Sequence, residues 1–216
     1  MKGKIKQIDY ATAVAFLLPR HYSGRVPTIS KAFGWYADDV LVAVCTFGKP
    51  ASPYPCQICW KDNAAHVYEL NRLCRLEDWD EPLSEFVAAC LRMLKSEDWI
   101  VLSYSDTAMN HHGYIYQACN FLYTGCSKPR TDKYVPGWGH SRHYKEEDHG
   151  EFRLYRYGKH RYVFFCTRNK RLKKEWAAAL KYPVLPYPKG DNNSDYTLGD
   201  YLEPTLVPVH GGTQNE

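Results

Sequence analysis

"AHVYELNRLCRLEDWDEPLSEFVAACLRMLKSEDWIVLSYS", residues 65–105, decides the fold. Its first part, "AHVYELNRLCR", reads as a strand. Its middle, "EPLSEFVAACLRMLKSE", reads as a helix. Pro82 suits the first turn, and Leu83, Phe86, Val87, Cys90, Leu91 and Leu94 make one apolar stripe. "DWIVLSYSD" then returns as a strand. A strand–helix–strand unit has to cross over and come back, so at least one pair of strands is parallel.

Outward from that unit the elements alternate. "QIDYATAVAFLLPRHY" reads as a strand or turn leading into a short helix that stops at Pro19. "AFGWYADDVLVAVCTF" reads as a hairpin, with "ADD" at the turn. Downstream, "GYIYQACNF" is a short helix, "LYTGCS" and "RYVFFCTR" are strands, and "NKRLKKEWAAALK" is a helix. The order gives an α/β sandwich with a mixed sheet. After "YPVLPYPKG" the chain turns polar and acidic, so residues 191–216 are expected to be a loose tail on a single domain of residues 1–190.

The chain has 216 residues and is 44% hydrophobic, long enough for one good-sized core. No apolar run approaches the roughly 20 residues that cross a bilayer. "AVAFLL" is too short for a signal peptide, and "PRHY" is a poor cleavage site. A soluble cytoplasmic protein without membrane contact is expected. Several of the eight cysteines sit in apolar runs such as "VAVCTF" and "VFFC", where free cysteine packs as a small core residue. "PYPCQICW" holds one CxxC pair, Cys56 and Cys59. A structural zinc site wants a second pair, so free thiols fit better.

The net charge of +4 hides an uneven distribution. Between Arg153 and Lys189 eleven Lys or Arg face one acid, Glu175, which gives +10. Arg168, Lys170, Arg171, Lys173 and Lys174 crowd into "RNKRLKKEW". Interleaved aromatics, among them Tyr155, Tyr162 and Trp176, suit a phosphate backbone beside stackable bases, so residues 153–189 are the expected DNA-contacting part. A solvated helix face is the competing reading.

A second stretch, "VLSYSDTAMNHHGYIYQACNFLYTG" (101–125), crowds polar groups around one strand-to-helix turn. Asp106 ends a strand, and in α/β sheets ligands bind in the crevice beside such ends. The same carboxylate suits a helix N-cap. His111 and His112 are adjacent and cannot both face one site from a helix. Gly113 lets the backbone approach something closely.

The element order resembles the GNAT acyltransferase fold: a mixed, mostly antiparallel twisted sheet flanked by helices, here with a basic C-terminal extension. The motifs resemble the Mom family of phage DNA-modification proteins. They are "RHYSGRVP" (20–27), "VLVAVCTFGKPAS" (40–52), "YELNRL" (68–73), "PLSEF" (82–86), "SYSDTAMNHHGYIYQACNFLYTG" (103–125) and "LKYPVLPYPK" (180–189). The resemblance implies conversion of adenine in phage DNA to N6-carbamoylmethyladenine, which protects that DNA from host restriction. It implies catalytic roles for His21, Tyr22, Ser84, Asp106 and Tyr116, and donor binding by Arg72 and Ser84. His21 would take a proton from the adenine amino group or ligate a metal. Arg72 would hold a carboxyl or phosphate group, and Ser84 sits in the first turn of the central helix, near its positive end. His21, Tyr22, Asp106 and Tyr116 would offer nitrogen and oxygen to a metal such as iron.

The donor follows from chemistry. Acetyl transfer yields an N-acetyl group, which lacks the product's second nitrogen, so acetyl-CoA, the donor implied by the fold, needs an oxidative step and a nitrogen source. An activated glycine supplies every atom. "RLCRLEDWDEPLSEF" stands where GNAT enzymes cradle a pyrophosphate; it has no glycine and five acids, which repel CoA and suit an ammonium group. The partner would be double-stranded DNA with a flipped adenine held by aromatics, with Trp35, Tyr36, Trp138 and Tyr144 as candidates. The sequence fixes no oligomeric state, and a homodimer is compatible with it. Rival readings are a GNAT-like acyltransferase acting on a small molecule or tRNA, and a non-catalytic DNA-binding protein.

Overall fold

The computed structural model describes residues 3–135, 151–191 and 204–208. In chain order the elements are β1 (Lys4–Ile8), α1 (Tyr10–Leu17), β2 (Lys31–Ala37), β3 (Val40–Gly48), α2 (Pro53–Cys56), β4 (Val67–Arg75), α3 (Leu83–Leu94), β5 (Trp99–Asp106), α4 (Tyr114–Ala118), β6 (Leu122–Cys126), β7 (Arg130–Lys133), β8 (Phe152–Arg156), β9 (Lys159–Cys166), α5 (Lys170–Ala179) and β10 (Leu206–Pro208). One seven-stranded sheet runs β1-β2-β3-β4-β5-β9-β6. Within it β4 and β5 are parallel and the other neighbours antiparallel, as the strand–helix–strand unit requires.

Local chemistry sets the ends of these elements. Asp9 caps α1 by accepting a hydrogen bond from Thr12 N at 2.8 Å. The β2–β3 turn places both Asp38 and Asp39 at positive φ, the left-handed pair that a two-residue hairpin loop needs. Gly113 has φ 76°, and a Cβ there would meet the Tyr162 ring at 2.5 Å, so the close approach expected at this glycine is to a core tyrosine.

Helices cover both faces of the sheet. The stripe of α3 packs with Val101, Cys45 and Phe47 on one face. On the other, Trp176 and Leu172 of α5 pack on Ile100, Leu102 and Val163. Phe16 and Leu17 of α1 pack on Val44 and Cys74. Residues opposite one another in a ladder share a face, so α1 and α5 lie on the same side of the sheet with a gap between them. All eight cysteines are free. No helix among the described residues is long and apolar enough to cross a membrane.

A second, three-stranded sheet, β10-β8-β7, has no counterpart in the sequence reading. It draws Leu206–Pro208, from the stretch read as a tail, against Phe152–Leu154. Its strands, β7, β8 and β10, are only four, five and three residues long, too short for a hydrophobic period to mark them.

Candidate active site at the parting of β4 and β5

The parallel ladder between β4 and β5 runs from Val67–Ile100 to Leu70–Ser103 and stops there. Ser103 Oγ bonds Leu70 O at 3.1 Å. Beyond this point β4 bulges at Asn71 against β3 and continues to Arg75, while β5 continues to Asp106. Register determines what lies on the α1/α5 face of the parting strands. Glu69 shares it with Leu102, and Arg72 shares it with Thr46. Tyr104 and Asp106 pair with Arg161 and Lys159 of β9. Besides the buried Thr46, six polar side chains (Glu69, Arg72, Tyr104, Asp106, Lys159 and Arg161) therefore share the α1/α5 face. The loop after α1 brings His21 and Tyr22 to the same place, their rings stacked at 4.5 Å.

Asp106 holds Lys159 Nζ at 2.8 Å through Oδ2 and accepts from Ala108 N at 3.0 Å through Oδ1. It is both an ion-pair partner and the cap of the turn that follows. His21 Nδ1 accepts from Ser23 N at 3.1 Å, so the neutral ring carries its proton on Nε2. Burial, then the charges of Arg72 and Lys159, push its pKa down to about 3, so the ring stays neutral. Arg72 donates to Asn71 O at 2.6 Å and Arg25 O at 3.4 Å, but its Nε is buried without a partner, as is Ser23 Oγ. The Glu69 carboxylate makes no hydrogen bond or ion pair with a described residue. Burial lifts its carboxyl above the usual range, against the pull of Arg72 and Lys159. Tyr116 approaches from the α3 side, packed on Phe121 and Tyr162. Its buried phenol bonds Ser103 and is held well above its ordinary pKa, mainly by burial.

The structure thus brings together His21, Tyr22, Arg72, Asp106 and Tyr116 from three distant segments. Ser84, the second residue of α3, lies on the side from which Tyr116 approaches: its carbonyl accepts from Cys119 Sγ at 3.2 Å, at the end of the helix that carries Tyr116. Trp35, expected to stack on a base, is instead a core residue with no exposure, packed on Trp79 and Phe86. Tyr36 sits under Lys6 at the hairpin end. Trp138 and Tyr144 lie outside the described residues. The basic residues Arg168, Lys170, Arg171, Lys173 and Lys174 are all exposed along α5 and the turn before it, with Trp176 beneath. Sequence reasoning missed Glu69 and Lys159. The signal for Glu69 was present: it is two residues from Val67 on a strand, hence on the same inward face.

A metal does not fit these side chains. Both Asp106 oxygens and His21 Nδ1 are already engaged, Lys159 places a cation at the carboxylate, and the Tyr116 phenol resists ionisation. Among the described residues no group of three His, Cys, Asp or Glu is placed to hold an ion. A CoA pyrophosphate fits no better: from the end of β4 into the first turn of α3 the chain exposes Glu77, Asp78, Asp80 and Glu85.

A model of the Mom protein family matches residues 2–189. No curated protein matches the chain. Similar solved structures include a Bacillus subtilis acetyltransferase in complex with CoA, at 15% identity over 76% of this chain and 99% of that one, with TM-score 0.43. Another is a putative acetyltransferase from Salmonella typhimurium with its cofactor acetyl-CoA, at 9% identity over 78% and 96% of the two chains, with TM-score 0.47. A third is a GNAT family acetyltransferase from Elizabethkingia anophelis with acetyl-CoA bound, at 9% identity over 75% and 97%, with TM-score 0.45.

Proposed function

Since the chain belongs to the Mom protein family, we propose that it is a transferase that converts adenine in DNA to N6-carbamoylmethyladenine, with an activated glycine as donor, and so shields phage DNA from restriction. One observation carries this reading. A carboxylate without an ion-pair partner (Glu69), a buried N–H without an acceptor (Arg72 Nε) and a neutral imidazole protonated at Nε2 (His21) meet where β4 and β5 part.

Each group has a task in acyl transfer. The amino group of an extruded adenine attacks the glycyl carbonyl, and Glu69 takes the proton that N6 loses. Its raised pKa brings it nearer the working pH than an ordinary carboxylate. His21 Nε2–H and Arg72 Nε–H donate to the oxygen that becomes negative in the tetrahedral adduct. Lys159, held by Asp106, adds positive charge on the same side. The carrier of the glycyl group leaves with a proton, which gives N6-glycyladenine. The glycyl amine then attacks C6, the C6–N6 bond breaks, and the former N6 becomes the terminal amide. The net change is addition of one glycine residue, with no oxidant consumed. The acidic segment between β4 and α3 attracts the donor's ammonium.

The test is mass spectrometry of nucleosides from DNA of cells that express the protein. An adenosine heavier by one glycine residue supports the reading. Unmodified adenosine beside a soluble, folded protein removes it.

A further inference from the structure

On the α1/α5 face, next to the parting strands, lies a small cavity of about 50 Å³. Its walls include Tyr54, Tyr104, Arg161, Lys181 and Tyr182, and no acid lines it. We propose that an unstacked nucleobase of the DNA strand stacks at the mouth of this cavity, on the exposed rings of Tyr54 and Trp60, with its phosphates on Arg161 and Lys181; this rests on the DNA reading above.

Four independent features point there. The Arg161 guanidinium lies 3.5 Å from the Tyr182 ring centroid. It is locked by Nε to Thr124 Oγ1 at 2.8 Å and Nη2 to Thr124 O at 2.7 Å, a pre-ordered cation of the kind that pairs with phosphate. Tyr54 is 75% exposed and Trp60 59%, the two most exposed large hydrophobic side chains among the described residues. Lys181 reaches from the cavity wall over the Trp60 indole at 4.5 Å, joining a ring face to a cation. Finally, Trp60 has φ 62° and ψ 169°, backbone space that belongs essentially to glycine. Among the described residues, no hydrophobic cluster includes this solvent-facing indole. Tyr104 joins the two sites: it lines the cavity, and its phenol feels the charge of Glu69.

The ligand class follows from these walls. Flat aromatic faces stack on any base, and cations without neighbouring acids suit its phosphates. The same face carries the basic helix α5, along which a strand would continue.

The probes are a deoxyadenosine pentamer and an abasic deoxyribose-phosphate pentamer of equal charge, titrated against the full-length protein and against a Tyr54→Ala/Trp60→Ala variant. The wild type should bind the base-bearing pentamer about ten-fold more tightly than the abasic one. The double variant should bind both with the weaker affinity, and Tyr54→Phe/Trp60→Phe should restore the difference. Modified DNA in cells with no preference for the base-bearing pentamer overturns this inference and leaves the enzymatic reading standing. A preference that survives the alanine substitutions also overturns it. Absence of both binding and modification ends the two together.

Discussion

His21 is neutral in the folded protein well below the pH at which it charges in the unfolded chain. Between the ordinary histidine value of 6.5 and about 3, the unfolded state binds a proton that the folded state refuses. Stability therefore falls as pH drops through that window, and above it His21 contributes no pH dependence. A His21→Asn variant should show a shallower loss of stability between pH 6 and 4, measured by urea unfolding at each pH. Glu69 has the opposite sign. Its folded pKa is raised, so the folded state holds a proton that the unfolded state has released, and the charged carboxylate costs stability as pH rises through the folded value. Glu69→Gln should accordingly raise the melting temperature at neutral pH while lowering modification by about 100-fold or more, the scale of a lost general base. A variant that lost both stability and activity would make Glu69 a structural residue.

At the scale of elements, the strand–helix–strand unit of residues 65–105 was legible because each part carried its own period and the chain had to cross the sheet between strands. The site was legible only in part. Asp106 announced itself at a strand end, but Lys159, its ion-pair partner, lies fifty-three residues further along the chain, and only the β5–β9 register joins them. The small sheet β10-β8-β7 was not legible, because its short strands take their order from long-range pairing. Trp35 was misread for a related reason: a strand tryptophan looks the same whether it stacks on a base or on Trp79. Two elements invite direct tests. Asp39 at φ 63° occupies a position that glycine fills without strain, so Asp39→Gly should stabilise the hairpin by about 1 kcal/mol in equilibrium unfolding. Helix α5 presents Lys170, Arg171, Lys173 and Lys174 to solvent. Changing all four to Gln should leave the fold intact and flatten the salt dependence of DNA binding, by roughly 0.9 in log–log slope per phosphate contact removed. An unchanged slope would place the DNA elsewhere.

At the scale of the whole molecule, the proposed reaction draws its groups from one face of one sheet: the parting of β4 and β5 is the proposed source of the reacting groups, the side between α1 and α5 the proposed access, and the exposed cations of α5 the proposed DNA contact. The donor is where the chemistry is sharpest, because glycine supplies the nitrogen that becomes N6 while adenine's own amino nitrogen becomes the amide, no oxidant is consumed, and among the described residues the site's side chains fit neither a metal nor a pyrophosphate. The most direct measurement feeds expressing cells with glycine labelled at carbon and nitrogen and analyses nucleosides from their DNA by mass spectrometry. An adenosine that carries one intact labelled glycine residue, and that disappears in the Glu69→Gln variant, is the predicted result. An adduct free of the label, or one made equally well without the Glu69 carboxylate, would contradict it.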